Sequence, residues 1–425
     1  MKSVQQRYLS IVELSATVLL LAYPTAMIAV KGGMNGVFLL MLLLALAVWL
    51  ARPNGIEAVM WRSEFTIYTV SMCAMSVAIL ISQTYLQNYT AHPYDAASRY
   101  WLAIPVFLLL QRLRPAVFVV LQVAFPLAAI IGFMMSNDLG AGSENRSGIG
   151  TLDLIHFGDL ELIFGVLSLF SINWLGRDNK LLRLLKVTGF MLGLLASFES
   201  GSRGGWFAIP VFILIYFYFR TSRVSLKMAA ASLIATSFVI AFVYLASGTF
   251  QHRVNELIND IATFEQGNRD TSTGVRWQLY KAAADIFAHH PIFGVGPEGF
   301  ALEMQPMLDA GKITPLAAEL GRGEVHNDIL SKAAGMGIFG LAALLASYFV
   351  PFGLFWRATK STLREVRRAG ILGIAFVSGI LVFGVTVEFL NLTMATAFYG
   401  FTVAVLLAAC YNVHYGVQIV VHKPE

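Results

Sequence analysis

Charge is what this sequence has least of. Only 13% of its 425 residues are Asp, Glu, Lys or Arg, while 57% are hydrophobic and the mean hydropathy is +0.68. Soluble domains carry about a quarter of their residues charged, so a water-soluble globular chain is excluded. Cysteine is nearly absent: Cys73 and Cys410 both fall inside apolar runs. That leaves the polar segments without a disulfide framework or a thiolate zinc centre, and each cysteine reads as a small core residue. There is no internal repeat, no low-complexity tract and no glycine fingerprint for a nucleotide phosphate. The net charge of +5 sits in short basic loops, which suits anionic membrane lipid and not nucleic acid or an acidic protein.

What is abundant is long apolar sequence. A helix of about 20 apolar residues crosses a hydrocarbon core of about 30 Å and satisfies its own backbone hydrogen bonds. Twelve such runs lie near residues 9–30, 34–51, 65–85, 100–112, 115–135, 157–175, 182–199, 205–219, 227–246, 329–355, 369–389 and 394–415. The expected fold is an all-α integral membrane protein with about 12 transmembrane helices and one long outer loop. Residues 1–247 carry the first nine spans, 248–326 the loop, and 327–425 the last three spans with a cytoplasmic C-terminus. The basic residues agree with this order. Arg112 and Arg114, the run Arg177, Lys180, Arg183 and Lys186, and Arg357 through Arg368 all fall on one side, as the positive-inside bias requires. The first span, following Lys2 and Arg7, is too long for a cleaved leader and reads as a retained anchor.

The loop has its own grammar. Leu257, Ile258, Ile261 and Phe264 are spaced as one face of an amphipathic helix at a membrane surface. A polar turn over 267–274 precedes a helix through Arg276, Trp277 and Tyr280, with Ser272 or Thr273 as its expected N-cap and His290-Pro291 as its end. The Gly- and Pro-rich stretch 291–300 is a turn. His326 then stands at the outer mouth of the tenth span, where Gly335, Gly337 and Gly340 are expected to admit a neighbouring helix.

Arg276-Trp277, the run from His290 to Gly296, His326-Asn327, the glycines that follow, and the Arg203-Gly204-Gly205 turn together resemble the bacterial O-antigen ligase and polymerase family. The resemblance implies an integral inner-membrane glycosyltransferase of the GT-C type working on the periplasmic face. Its donor would be an undecaprenyl-pyrophosphate-linked O-antigen. A ligase passes the glycan to the lipid A core oligosaccharide and a polymerase to another lipid-linked repeat. The single His closing the loop and the compact chain look more like a ligase.

Such a transfer needs a proton acceptor for the incoming hydroxyl and positive charge on the departing pyrophosphate. An imidazole titrates near neutrality, which makes His326 the candidate base; a polar helix cap is the plain alternative. Arginine suits pyrophosphate because its planar fork donates paired hydrogen bonds. Arg203 comes first, since its flanking glycines are expected to expose backbone N–H groups at a helix start. Arg276 is second and Arg146 third; an interfacial anchor or a solvated arginine is the ordinary reading of each. Trp277 is a candidate sugar or lipid platform, Asn327 a substrate contact, Glu388 an orienting carboxylate for His326 or the acceptor, and His156 a possible wall of the same cavity. The loop carboxylates match no metal-ligand spacing, so the expected reaction is metal-independent, uses no cofactor and inverts the anomeric centre. A polymerase, a protein O-oligosaccharyltransferase and a lipid-linked sugar flippase remain as alternatives. The flippase fits least, because polar clusters collect at one face; Glu13 and Glu161 are the main exceptions, each within about a turn or two of its span's end.

Overall fold

The computed structural model describes residues 4–51, 61–139, 148–149, 152–221, 248–265 and 267–415, together with scattered positions between 222 and 247. The described residues fold entirely into helices and their connections. Eight helical segments are long and apolar enough to cross a membrane. Those on the first half are α1 (Val4–Ala29), α2 (Gly33–Ala51), α3 (Ser63–Leu86), α5 (Leu121–Leu139, entered through a 3-10 turn from Pro115) and α7 (Lys180–Glu199). The others are α13 (Asp328–Ala358), α14 (Arg364–Gly384) and α15 (Thr393–Cys410). The chain is thus an α-helical multi-pass membrane protein.

The remaining apolar runs correspond to α4 (Pro93–Leu110), α6 (Leu154–Phe170) and α8 (Ala208–Thr221), while most of 227–246 lies outside the described residues. Helix α4 begins earlier than its apolar run because Pro93 occupies the first turn, where a missing N–H costs nothing, and Asp95 favours the helix start electrostatically. Helix α6 is capped by Asp153, whose side chain accepts from the Ile155 and His156 amides. Its carboxylate Glu161 is fully buried, whereas Glu13 of α1 pairs with Arg114.

Helices α6, α7 and α5 pack together, α15 lies along α4 and α14, and α13 lies against α3 and α14. Between α8 and α13 the polar stretch contributes α9 (Gly248–Glu265), α10 (Ser272–His289), α11 (Gly299–Asp309) and α12 (Pro315–Gly321). Helices α10 to α12 share a second, smaller core around Leu279, Ala283, Met304 and Ala317. The N-cap of α10 is Thr271, one residue before the expected pair, because its side-chain oxygen reaches the Gly274 amide at 3.1 Å.

The glycines of α13 do something other than admit a helix. Gly337 takes φ +60°, breaking α13 inside its membrane-spanning run. The Ile338 amide, deprived of its helical acceptor, donates to the Pro291 carbonyl at 2.8 Å. The Ala334 and Gly335 carbonyls freed by the break accept from the Val295 and Gly296 amides at 3.1 and 2.8 Å. Backbone from the 291–297 turn thereby replaces the helix's own ladder, which is how a broken helix survives in apolar surroundings. The turn is held from the other side by α3, where Ser82 donates to the Phe293 carbonyl and Tyr85 stacks on the Phe293 ring at 4.0 Å. A Cβ on Gly337 would lie 2.3 Å from the Ile292 oxygen. Gly337→Ala is therefore expected to destabilise the fold by at least about 2 kcal/mol, from the left-handed backbone and the steric overlap together. Gly36→Ala in α2, where a Cβ meets nothing within 4 Å, is the control. Equal unfolding midpoints for the two variants in detergent would show that the junction tolerates rearrangement.

Candidate active site

Helices α6, α8, α13 and α15 start, and α7 and α14 end, at one end of the bundle, and α9 to α12 cover it. Three separate segments meet there on residues 385–388, just past α14. The Val385 carbonyl accepts from Tyr280 of α10 at 3.2 Å and from the Asn327 amide at 2.8 Å. Thr386 lies under the Arg203 turn, so close that a Cβ on Gly204 would sit 2.2 Å from its Oγ1; a Cβ on Gly205 would meet Asp159 at the same distance. These two glycines serve close packing of the turn against α14 and α6, a role the sequence alone did not suggest. Glu388 accepts from the Val325 amide and, at 2.8 Å, from Ser331.

The Arg203 turn, α9 and α10 enclose a cavity of about 280 Å³ lined by Arg203, Arg276, Ser202, Ser272 and Thr386, with Glu256 and Asp260 on its α9 wall. Two of the sequence candidates, more than seventy positions apart, are brought together in it. The amphipathic segment is indeed a helix, and it turns acidic side chains towards the arginines: Asp260 lies 3.6 Å from Arg203. Nothing in the spacing of the sequence announced that contact.

His326 stands one helical turn of α10 away. Tyr280, four residues after Arg276, donates to the His326 carbonyl at 3.0 Å. His326 itself takes φ +60°, a conformation unusual for a side chain of its size and held by what surrounds it. Asn327 is the N-cap of α13, accepting from the Leu330 amide while donating to Val385, so both ends of its side chain are engaged in fixing this turn. The imidazole is mostly buried, 17% exposed, and its Nδ1 lies 2.6 Å from Glu324 Oε1, a close approach that lacks the angle of a directed hydrogen bond. Burial pushes the Glu324 carboxyl up, but His326 and the nearby His156 outweigh it and hold the group below the ordinary carboxylate range.

Glu388 is buried and reaches the His326 turn through the Val325 backbone, not through the imidazole. Burial raises its carboxyl, against the opposing pull of Lys332, the Val325 amide and Ser331. With Glu324, Arg322, Glu298 and His92 it borders a second cavity of about 340 Å³. His156 is buried, stacked on Phe389 and paired through Nδ1 with Asp153. Trp277 faces away from the Arg203 cavity, half exposed, with Lys281 5.2 Å from its ring centre. Arg146 lies outside the described residues. Among the described residues no group of three or more His, Cys, Asp or Glu side chains could hold a metal ion.

The segments that build this corner also carry the likeness to known proteins. Residues 188–345, from within α7 through the break in α13, match the O-antigen ligase family. The match takes in Arg203, Arg276 and His326. Among curated proteins the chain is 25% identical over 218 residues to an uncharacterized protein of Haemophilus influenzae and 23% identical over 232 residues to an O-antigen ligase of Escherichia coli. These alignments span 51% and 54% of this chain, and the chain spans about half the length of the curated relatives it matches, 54% of each.

Proposed function

We propose that this chain is an O-antigen ligase that transfers O-antigen polysaccharide from undecaprenyl pyrophosphate to the lipid A core oligosaccharide. The observation that carries the reading is the convergence of Arg203 and Arg276, from two separate elements inside the family match, on one small polar cavity a helical turn from His326. Two forked cations suit a pyrophosphate leaving group, which carries more negative charge than a single carboxylate such as Asp260 and would displace it.

In this reading the acceptor hydroxyl attacks the anomeric carbon in line with the departing pyrophosphate. The new glycosidic C–O bond forms as the bond to the phosphate oxygen breaks, with inversion, and the hydroxyl proton passes to His326 Nε2. Glu324, at Nδ1, stabilises the imidazolium that results. Arg203 and Arg276 hold the pyrophosphate as it gains charge. Tyr280, Asn327 and Glu388 hold the His326 turn, and Trp277 offers the glycan a stacking face outside the arginine cavity. Arg146 is assigned a supporting phosphate contact from sequence alone. The transfer requires neither metal nor cofactor. The full fold is taken to comprise twelve spans in the inner membrane, with residues 248–326 and the site on the periplasmic side, in keeping with the basic-residue bias.

Deleting the gene is expected to leave lipopolysaccharide as lipid A core without polymer while lipid-linked polymer accumulates, since ligation follows polymerisation. A mutant that still capped its core with a single repeat unit would instead point to the polymerase.

A further inference from the structure

A cavity of about 790 Å³, larger than either of those beside His326, lies at the opposite end of the bundle. The part of α13 beyond its break at Gly337, running to Ala358, alone carries the chain roughly 30 Å towards that end at about 1.5 Å per residue. Five cations border this cavity: Arg220 at the end of α8, Lys360 just past α13, and Arg364, Arg367 and Arg368 at the start of α14. Among the described residues none of the five is ion-paired with a carboxylate. Their hydrogen bonds go to neutral oxygens, Arg220 to the Tyr216 hydroxyl and Arg367 to the Ser361 carbonyl. Asp178, which faces the same region, is held by the buried Lys186 at 2.9 Å, and Glu365 is not in the cavity wall. Cations gathered without counter-charge at the end of membrane spans call for an anion from outside the chain.

A second observation says what the anion is attached to. The cavity shares Leu169, Phe170 and Tyr216 with an almost wholly apolar groove of about 240 Å³. The groove runs between α6, α7 and α8 past Leu194, Phe212 and Phe217. A basic chamber at the membrane boundary that continues into an apolar slot matches the two ends of an amphiphile. A soluble anion would have no use for the slot.

We propose that this end of the molecule binds one anionic glycerophospholipid, with its phosphate among Arg220, Lys360, Arg364 and Arg368 and one acyl chain in the groove between α6 and α8. The site is independent of the transferase reading. Trp356 lines the chamber and provides the readout.

The test uses the purified full chain in phosphatidylcholine nanodiscs doped with phosphatidylglycerol brominated on its acyl chains. Quenching of Trp356 is read as the difference from a Trp356→Phe protein. Brominated phosphatidylglycerol is expected to quench at a mole fraction roughly tenfold lower than brominated phosphatidylcholine, and Arg364→Gln with Arg368→Gln is expected to abolish that preference. Should the double variant fail to fold, Arg220→Gln with Lys360→Gln, both at exposed positions, is expected to reduce the preference severalfold. Equal quenching by the two lipids, or a preference that survives in the folded charge variants, overturns the site. Relief of quenching by millimolar inorganic phosphate identifies a free-anion site and overturns its assignment to a lipid.

Discussion

Replacing His326 by Ala is expected to lower the rate of glycan transfer by at least about a hundredfold while leaving the amount of folded protein unchanged. Positioned general bases contribute about 10² to 10⁴ in rate, and the imidazole is the group in this corner whose second ring nitrogen is left to take a proton while Glu324 supports the first. Stability is expected to hold because the turn is fastened through backbone and neighbours: the His326 carbonyl to Tyr280, Asn327 to Val385, Val325 to Glu388. Alanine at φ +60° costs about 1 kcal/mol or more, but histidine already bears a similar cost there. Purified variant, lipid-linked donor and lipid A core suffice for the measurement. A loss of only a few fold would reduce His326 to a substrate-positioning group and pass the proton to Glu324 or to a donor phosphate oxygen.

The second large effect concerns the arginines. Arg203→Lys and Arg276→Lys keep the charge but replace a planar fork by a point charge, and each is expected to reduce transfer by about 10- to 100-fold, the loss of one charge-assisted hydrogen bond of about 1.5–3 kcal/mol. The Asp260 carboxylate adds an internal control. Asp260→Asn removes the carboxylate beside Arg203 without touching the cavity's shape, so donor binding should tighten or stay unchanged, not weaken. A Lys variant as active as the parent would return that arginine to the rank of an interfacial anchor.

How much of this was legible in the sequence depended on whether the signal was local. Apolar length alone revealed most of the membrane helices, and a period of 3.6 revealed α9 and α10. His326, Arg203 and Arg276 stood out because polar residues are scarce in this chain. What spacing could not reveal was three-dimensional exchange of hydrogen bonds. Gly335 and Gly337 read as a surface for a helix, but the partner is the backbone of 291–297, because a break at φ +60° leaves carbonyls that only another backbone can satisfy. Glu324 escaped notice as the neighbour of His326 because the two lie in a non-periodic turn, and Asp260 because its alignment with Arg203 exists only once α9 folds over the site. Glu388 reaches the His326 turn through the Val325 amide, a contact without any sequence signature.

The central claim is tested most directly by reconstituting the purified chain in vesicles with undecaprenyl-pyrophosphate-linked glycan and lipid A core oligosaccharide, and then following both substrates. The account predicts that the glycan appears on the lipid A core, that undecaprenyl pyrophosphate is released in equal amount, and that chelation of divalent metals by EDTA changes neither. Donor that lengthens on other donor while the lipid A core stays bare would contradict it.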